Sequence, residues 1–97
     1  MHKNAEYEWK LAGLLQHVAK DRKLLHGFLQ DLLSPFELTD IATRWQIVKQ
    51  LDRKVPQRRI AKNLHISIAT VTRGSIMLAN KNGGFNQVLN KYGRKKY

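Results

Sequence analysis

The chain has 97 residues, enough for one domain, and its 18 lysines and arginines against 7 acidic residues give a formal net charge of +11. The absence of cysteine excludes disulfides and thiolate metal sites, and no apolar run approaches the roughly 20 residues of a membrane-spanning helix. The charge favours a polyanionic partner, either nucleic acid or an anionic membrane surface. The charged N-terminal segment MHKNAEYEWK lacks the apolar region of a signal peptide, so we expect a cytoplasmic protein.

Apolar residues recur at helical spacing along most of the chain, and the alternation typical of strands is absent. The spacing predicts a first helix over residues 5–20 and a second helix with Asp21 as its N-cap. The segment SPFE predicts the start of a third helix, because Ser34 can cap it and Glu37 stands where a capping box needs an acidic residue.

Two short helices follow, and together they form a candidate helix-turn-helix over residues 56–79. Pro56 begins the first of them, and Ser67 caps the second, which runs to about Ala79. His65 stands in the turn, where glycine is common. We therefore predict an unusual backbone conformation at His65, which histidine tolerates better than most residues.

The C-terminal segment completes the helical pattern. Residues of NKNGG are expected to end the fifth helix and to form a turn: Asn82, Gly83 and Gly84. A sixth helix is predicted over residues 85–92, followed by a basic tail at residues 93–97. The sequence thus predicts an all-α chain of six helices, folded as a single helical domain over residues 1–97. One chain of this size buries only a thin core, which favours dimerisation, and Trp9 and Trp45 are expected in the core or at a dimer interface.

Helical spacing divides the second helix of the helix-turn-helix into two sides. One side comprises Ile68, Val71, Ser75 and Leu78, and of these Val71 is expected to face inward. The opposite side carries small, hydroxyl and cationic residues, including Ala69 and Arg73, which suits a DNA major groove. Lys62 belongs to a basic cluster that precedes this helix in the sequence, where the phosphates of the DNA backbone would lie. An ordinary helical hairpin with a solvated basic face is the alternative.

Two segments, LSPFELTDIATRWQIVKQL and PQRRIAKNLHISIATVTRGS, resemble the tryptophan repressor family over about residues 29–78. The resemblance implies an intertwined all-α homodimer that binds a palindromic operator in double-stranded DNA with L-tryptophan as corepressor. It implies operator-facing positions at Gln57, Arg58, Ile68, Ala69, Thr70 and Thr72. Arg73 can serve a DNA phosphate, the ligand carboxylate or both.

The resemblance also implies a ligand site. Arg44 and Arg73 would sandwich the indole ring, and Arg73 would also pair with the carboxylate, since a guanidinium can both stack on a ring and pair with an acid. Ser34 stands where the family usually has a threonine that helps to hold the carboxylate, and the carbonyls of Asp31 and Leu33 would receive the ammonium group. The site is completed on the fifth helix by Thr70, Gly74 and Met77.

Two departures from the family pattern concern this site and its neighbourhood. Met77 replaces a serine found near the ammonium group in the best-known members, and a thioether is a weak acceptor. The loop LDRKVPQ is one residue shorter than in the family. Arg44 and Ser34 also have purely structural interpretations. The aliphatic part of the Arg44 side chain could pack against the core while its guanidinium stays in solvent, and Ser34 could serve only as a helix cap.

Several functions remain open on the sequence. The leading one is a tryptophan-responsive transcriptional repressor; a related regulator that needs no ligand, or another ligand, is the alternative. A nonspecific nucleic-acid-coating protein would explain the charge but not the helix-turn-helix. A membrane-surface or purely structural helical module is a further alternative, and the mixed charges of the first helix argue against a membrane face. No nucleophile–base set or carboxylate pair indicates an enzyme, and the four histidines lack the spacing of a metal site.

Overall fold

The structure, a computed structural model, describes residues 3–92 and contains six α-helices there. The helices are α1 (Lys3–Val18), α2 (Arg22–Leu32), α3 (Pro35–Asp52), α4 (Gln57–Leu64), α5 (Ile68–Leu78) and α6 (Gly84–Tyr92). No strand occurs within this part of the chain, which confirms the all-α prediction. The basic tail predicted at residues 93–97 lies outside the described residues. The chain divides into two compact units, Met1–Leu38 and Thr39–Tyr97.

The first unit consists of α1, α2 and the first turn of α3, and α1 contacts α2. None of its described residues is buried in the single chain. Trp9 is 74% exposed and Phe36 is 89% exposed, although both are large apolar side chains. Trp9 is therefore not a core residue of one chain, and only the predicted interface role remains for it.

Local caps define the ends of the helices in this unit, as the sequence predicts. The Asp21 carboxylate accepts a hydrogen bond from the backbone N–H of Leu24 at 3.2 Å, which confirms Asp21 as the N-cap of α2. At the start of α3, the Glu37 N–H donates to Ser34 Oγ at 3.1 Å, and the Ser34 N–H donates to Glu37 Oε1 at 2.8 Å. This reciprocal pair is the predicted capping box.

The capping box makes α3 sensitive to acid. The hydrogen bond from the Ser34 backbone N–H, and then that from its side chain, lower the pKa of Glu37 below the ordinary 4.5. A lowered folded-state pKa stabilises the fold above the unfolded pKa, and this contribution is lost as the pH falls through the folded value. We expect Glu37→Gln, whose amide oxygen can still accept the bond, to lose less thermal stability than the wild type below about pH 5. Thermal unfolding of both proteins along a pH series measures this difference, and parallel curves would contradict it.

The core of the second unit forms where α3, α4 and α5 meet. Ile47 from α3, Ile60 from α4 and Val71 from α5 are buried against one another. Partly buried apolar residues surround them: Leu51, Val55, Ala61, Leu64 and Ile66. Gly74 is also buried, and a Cβ at this position would lie 2.9 Å from Ile47 Cγ2. Glycine therefore permits the close approach of α5 to α3.

The turn between α4 and α5 has the predicted conformation. His65 adopts a left-handed backbone with φ 56° and ψ 47° and is the C-cap of α4. The Ile66 N–H donates to the Ala61 carbonyl at 3.0 Å, so the last turn of α4 is closed. Ser67 then accepts from the Thr70 N–H at 3.2 Å and caps α5, as predicted.

Two local predictions are wrong. The first helix runs over Lys3–Val18 rather than residues 5–20. Asn82 and Gly83 lie in the turn between α5 and α6, as expected, but residues 82–84 do not cap α5, because the helix ends at Leu78 and the cap is Ala79. The Asn86 side chain closes this end by donating to the carbonyls of Leu78 and Asn80, both at 2.8 Å. On α5, Val71 is buried as expected, whereas Ile68 on the same side of the helix is 48% exposed. The spacing of residues shows which of them share one side of a helix. A side chain on that side is buried only where a neighbouring helix covers it.

Candidate DNA-binding surface and ligand site

The residues predicted to face DNA lie on α4 and α5, which contact each other within the second unit. On α4, Arg58 and Lys62 are exposed and Gln57 is half-buried. On α5 the exposed residues are Ile68, Ala69, Thr70, Thr72 and Arg73. The fold therefore places all eight residues on two adjoining helices, seven of them exposed.

Side-chain hydrogen bonds order this pair of helices. Thr72 Oγ1 lies 2.9 Å from Gln57 Oε1, which links α5 to the first residue of α4. Ser67 Oγ and Thr70 Oγ1 lie 2.8 Å apart at the start of α5. Sequence reasoning missed the bond between Gln57 and Thr72, because the two residues are 15 positions apart and neither forms a recognisable local motif with the other.

Charge is strongly segregated along the chain. All seven acidic residues lie at or before Asp52, whereas residues 53–97 contain 11 lysines and arginines. The basic cluster on and just before α4 is exposed and comprises Arg53, Lys54, Arg58, Arg59 and Lys62. A polyanion approaching α4 and α5 would thus meet cations and no carboxylate from these two helices.

Arg44 lies on the exposed side of α3 and pairs with Asp40. Its Nη2 atom is 3.1 Å from Asp40 Oδ2, and both side chains are more than half exposed. Sequence reasoning missed Asp40, although the spacing of four residues between an acid and a base on a helix is a signal for such a pair. A ligand carboxylate or ring would share the Arg44 guanidinium with Asp40.

The α5 residues of the predicted ligand site differ in exposure. Thr70, Arg73 and Met77 are exposed, with Met77 at 59%. Gly74 instead faces Ile47 on α3 and is buried. The backbone carbonyls at the end of α5 are already engaged, since Met77 O accepts from the Asn80 N–H at 3.3 Å and Leu78 O accepts from Asn86. Next to Met77, α5 therefore offers an ammonium group few free acceptors.

The other three predicted ligand residues lie at the junction of α2 and α3, in the first unit. Asp31 is exposed near the end of α2, and the Leu33 N–H donates to the Leu29 carbonyl at 3.0 Å as the C-cap of that helix. Ser34 Oγ accepts from the Glu37 N–H, so the capping role is confirmed. This bond uses a lone pair of the hydroxyl and leaves its hydrogen available to a further acceptor.

The described residues provide neither a metal site nor a membrane-spanning helix. Between residues 3 and 92, no three or more histidine, cysteine, aspartate or glutamate side chains are grouped so that they could hold a metal ion. No helix in the same range combines the length and apolarity needed to cross a membrane.

Comparison with known proteins adds a consistent result. The family model described as Trp repressor protein matches residues 8–93. A Trp operon repressor homolog of Haemophilus influenzae is 35% identical over 86 residues, 88% of this chain and 85% of that protein. The homolog of Mannheimia succiniciproducens is 48% identical over 62 residues, 63% of this chain and 61% of that protein, less than two thirds of its length. The homolog of Chlamydia trachomatis serovar L2 is 41% identical over 69 residues, 66% of this chain and 73% of that protein.

Proposed function

Since the chain belongs to the Trp repressor family, we propose that it is a DNA-binding transcriptional repressor, active as a homodimer on a palindromic operator, with L-tryptophan as its corepressor. The observation that carries the proposal is the α4–α5 surface. Its exposed side combines small and hydroxyl residues on α5 with cations on α4, in the half of the chain that has no acidic residue. Small and hydroxyl residues fit a major groove, and cations fit the phosphates beside it.

The homodimer is supported by the first unit. Its described residues include no buried side chain, and several large apolar residues are exposed there: Tyr7, Trp9, Leu11, Leu14, Leu24, Leu32 and Phe36. Apolar surface of this extent is typical of an interface, and a second copy would cover it. Sedimentation at micromolar protein should give twice the mass of one chain, and a folded monomer would contradict the homodimer.

A titration of DNA with and without L-tryptophan tests the proposed function. The probes are a duplex selected from a randomised library and a duplex of scrambled sequence. A repressor with a corepressor binds the selected duplex more tightly, and L-tryptophan increases that preference. Equal affinity for both duplexes would favour a nonspecific coating protein.

A ligand-independent regulator is the second candidate, and two observations favour it. Met77 offers only a weak acceptor beside engaged carbonyls, and Arg44 already has Asp40 as a partner. This candidate predicts specific DNA binding that L-tryptophan leaves unchanged.

Arg58 and Lys62 are expected to contribute differently to DNA affinity. Arg58→Ala should weaken binding to the selected duplex by about 1–3 kcal/mol and relax one base preference, because an arginine can pair with a guanine edge through two hydrogen bonds. Lys62→Ala should weaken all sequences alike, because a phosphate carries no sequence information. Both residues are exposed on α4, so their loss should leave unfolding unchanged. Equal losses by both variants on selected and scrambled DNA would refute the base contact of Arg58.

Met77→Ser should tighten the binding of L-tryptophan. A hydroxyl at this position adds an acceptor for the ammonium group, and a hydrogen bond to a charged group is worth about 1.5–3 kcal/mol, roughly tenfold to a hundredfold in affinity. Calorimetry measures the change. Ile76→Ser is the matched control, because Ile76 is the exposed neighbour of Met77 on α5 and gains the same hydroxyl one position away. Equal affinities of the wild type and Met77→Ser would show that position 77 does not contact the ammonium group.

A further inference from the structure

The first turn of α5 is weak by composition. Four of the first five residues of the helix are branched at Cβ and lose side-chain freedom in a helix: Ile68, Thr70, Val71 and Thr72. No acidic residue stands in this turn to interact with the partial positive charge of the helix N-terminus. The helix has 11 residues, fewer than the about 12–15 that an isolated helix needs in water. The start of α5 therefore needs support from outside the helix.

Packing supports α5 only from its fourth residue onward. Val71 is buried in the core that α3, α4 and α5 share. The three helical residues before it are exposed: Ile68, Ala69 and Thr70. All three are positions that are expected to face DNA. Their order consequently depends on the segment that precedes the helix.

Ser67 supplies this support through a hydroxyl with two neighbours. The backbone of Ser67 is extended, with φ −71° and ψ 151°, as is usual for an N-cap residue. Ser67 Oγ accepts from the Thr70 N–H at 3.2 Å and lies 2.8 Å from Thr70 Oγ1, where either hydroxyl can be the donor. The cap thus holds both the backbone and the side chain of Thr70 in the exposed first turn.

The residue before the cap fixes the direction in which α5 begins. Ile66 packs against the core that contains Val71, and these two residues occupy the two positions of a hydrophobic staple. The Ile66 N–H donates to the Ala61 carbonyl at 3.0 Å, next to the left-handed backbone of His65. The cap, the staple and the turn are all formed within residues 61–71, so none of them needs a bound ligand.

We propose that Ser67 is a positioning residue that orders the DNA-facing first turn of α5 before any ligand binds, so that the protein retains sequence-specific DNA binding without L-tryptophan. The proposal rests on the proposed repressor function and adds how far the corepressor regulates it. A ligand that acts by ordering this turn can raise DNA affinity only where the ordered state is not yet fully populated. L-Tryptophan should therefore increase affinity for the selected duplex by about fivefold or less, the low end of allosteric coupling.

Variants of Ser67 in the full-length, ligand-free protein test the ordering. Ser67→Ala removes the cap and should bind the selected duplex about two- to fivefold more weakly. Ser67→Gly also lacks the hydroxyl, but glycine is a tolerated N-cap, so this variant should stay within about twofold of the wild type. A hydroxyl that contacted DNA directly would make both variants lose affinity equally, and equal losses therefore overturn the proposal.

Hydrogen exchange reports the order of the turn itself. Without ligand or DNA, the Thr70 amide hydrogen of the wild type should exchange about fivefold more slowly than that of Ser67→Ala, and L-tryptophan should slow it no further. Asp21→Ala is the matched control, because Asp21 caps α2 in the same way, through the N–H of Leu24 three residues ahead. This control should leave Thr70 exchange and DNA affinity within about twofold of the wild type. Equal Thr70 exchange in the wild type and Ser67→Ala, or an equal loss of DNA affinity in the control, overturns the proposal.

The DNA titration separates this proposal from the repressor function on which it rests. A ligand-free preference for the selected duplex, weakened in Ser67→Ala, supports both. If the wild type prefers the selected duplex only when L-tryptophan is present, the repressor function stands and this proposal is overturned. If it shows no preference with or without L-tryptophan, sequence-specific repression is refuted together with the DNA part of this proposal, while Thr70 exchange still decides whether Ser67 orders the turn.

Discussion

Arg44→Ala should weaken L-tryptophan binding by at least about tenfold and leave the fold intact. A guanidinium that stacks on the indole ring contributes through its charge and its flat face, and alanine removes both. Loss of an interaction with a charged group costs about 1.5–3 kcal/mol, which sets the expected tenfold to hundredfold change. Calorimetry with L-tryptophan and thermal unfolding of the same samples give the two measurements.

The structure explains why the fold should survive this change. The Arg44 side chain is 54% exposed, and its partner is Asp40 on the same helix. An exposed ion pair of this kind contributes about 0.2–1 kcal/mol, and alanine is itself a good helix former. Loss of ligand binding by Arg44→Ala would therefore not result from unfolding.

Asp40→Ala is the matched control, because it breaks the same ion pair and keeps the guanidinium. We expect this variant to bind L-tryptophan as tightly as the wild type or up to about fivefold more tightly, since the ligand no longer shares Arg44 with a carboxylate. If Arg44→Ala binds L-tryptophan like the wild type, the stacking role is refuted. If both variants lose binding equally, the ion pair rather than the guanidinium is what the ligand needs.

Gly74→Ala should destabilise the second unit by about 1–2 kcal/mol, although alanine normally favours a helix. The added methyl group would lie 2.9 Å from Ile47 Cγ2, closer than carbon atoms pack. Ile47 is 2% exposed and branched at Cβ, so its methyl group cannot swing aside without moving α3. Overpacking costs about 1–3 kcal/mol, which exceeds the 0.5–1 kcal/mol or so that alanine contributes to a helix relative to glycine.

Gly84→Ala is the control for this substitution. Gly84 is exposed at the start of α6, and nothing lies within 4 Å of a Cβ built there. We expect its melting temperature to be unchanged or slightly higher, while that of Gly74→Ala falls by several degrees, at about 4–8 °C per kcal/mol for a domain of this size. An unchanged or raised melting temperature for Gly74→Ala would mean that α5 and α3 are not as close as the structure has them.

Local chemistry explains why most helix boundaries could be predicted. Asp21, Ser34 and Ser67 each cap a helix through an N–H three residues ahead, so the interacting groups are neighbours in the chain. The left-handed backbone at His65 likewise follows from a tight turn and one tolerant residue. Such signals do not depend on distant parts of the molecule.

Features that depend on distant residues could not be predicted in this way. The carbonyl of Leu78 at the end of α5 is bound by the side chain of Asn86, which lies on α6. The sequence had instead predicted a cap in the glycine-rich segment. The exposure of Ile68 depends on where its neighbouring helices run. Neither property is encoded in the spacing of apolar residues along one helix.

For the candidate site, the helix-turn-helix, its cations and the family resemblance could be predicted from the amino-acid sequence, because these depend on residue type and short spacing. The packing of Gly74 against Ile47 and the hydrogen bond between Thr72 and the Gln57 amide became evident only in the three-dimensional structure. Both contacts join residues at least 15 positions apart, and a hydrogen bond or a steric limit requires atoms within a few ångströms. Distances of that kind are set by how α3, α4 and α5 pack, which no local pattern of residues specifies.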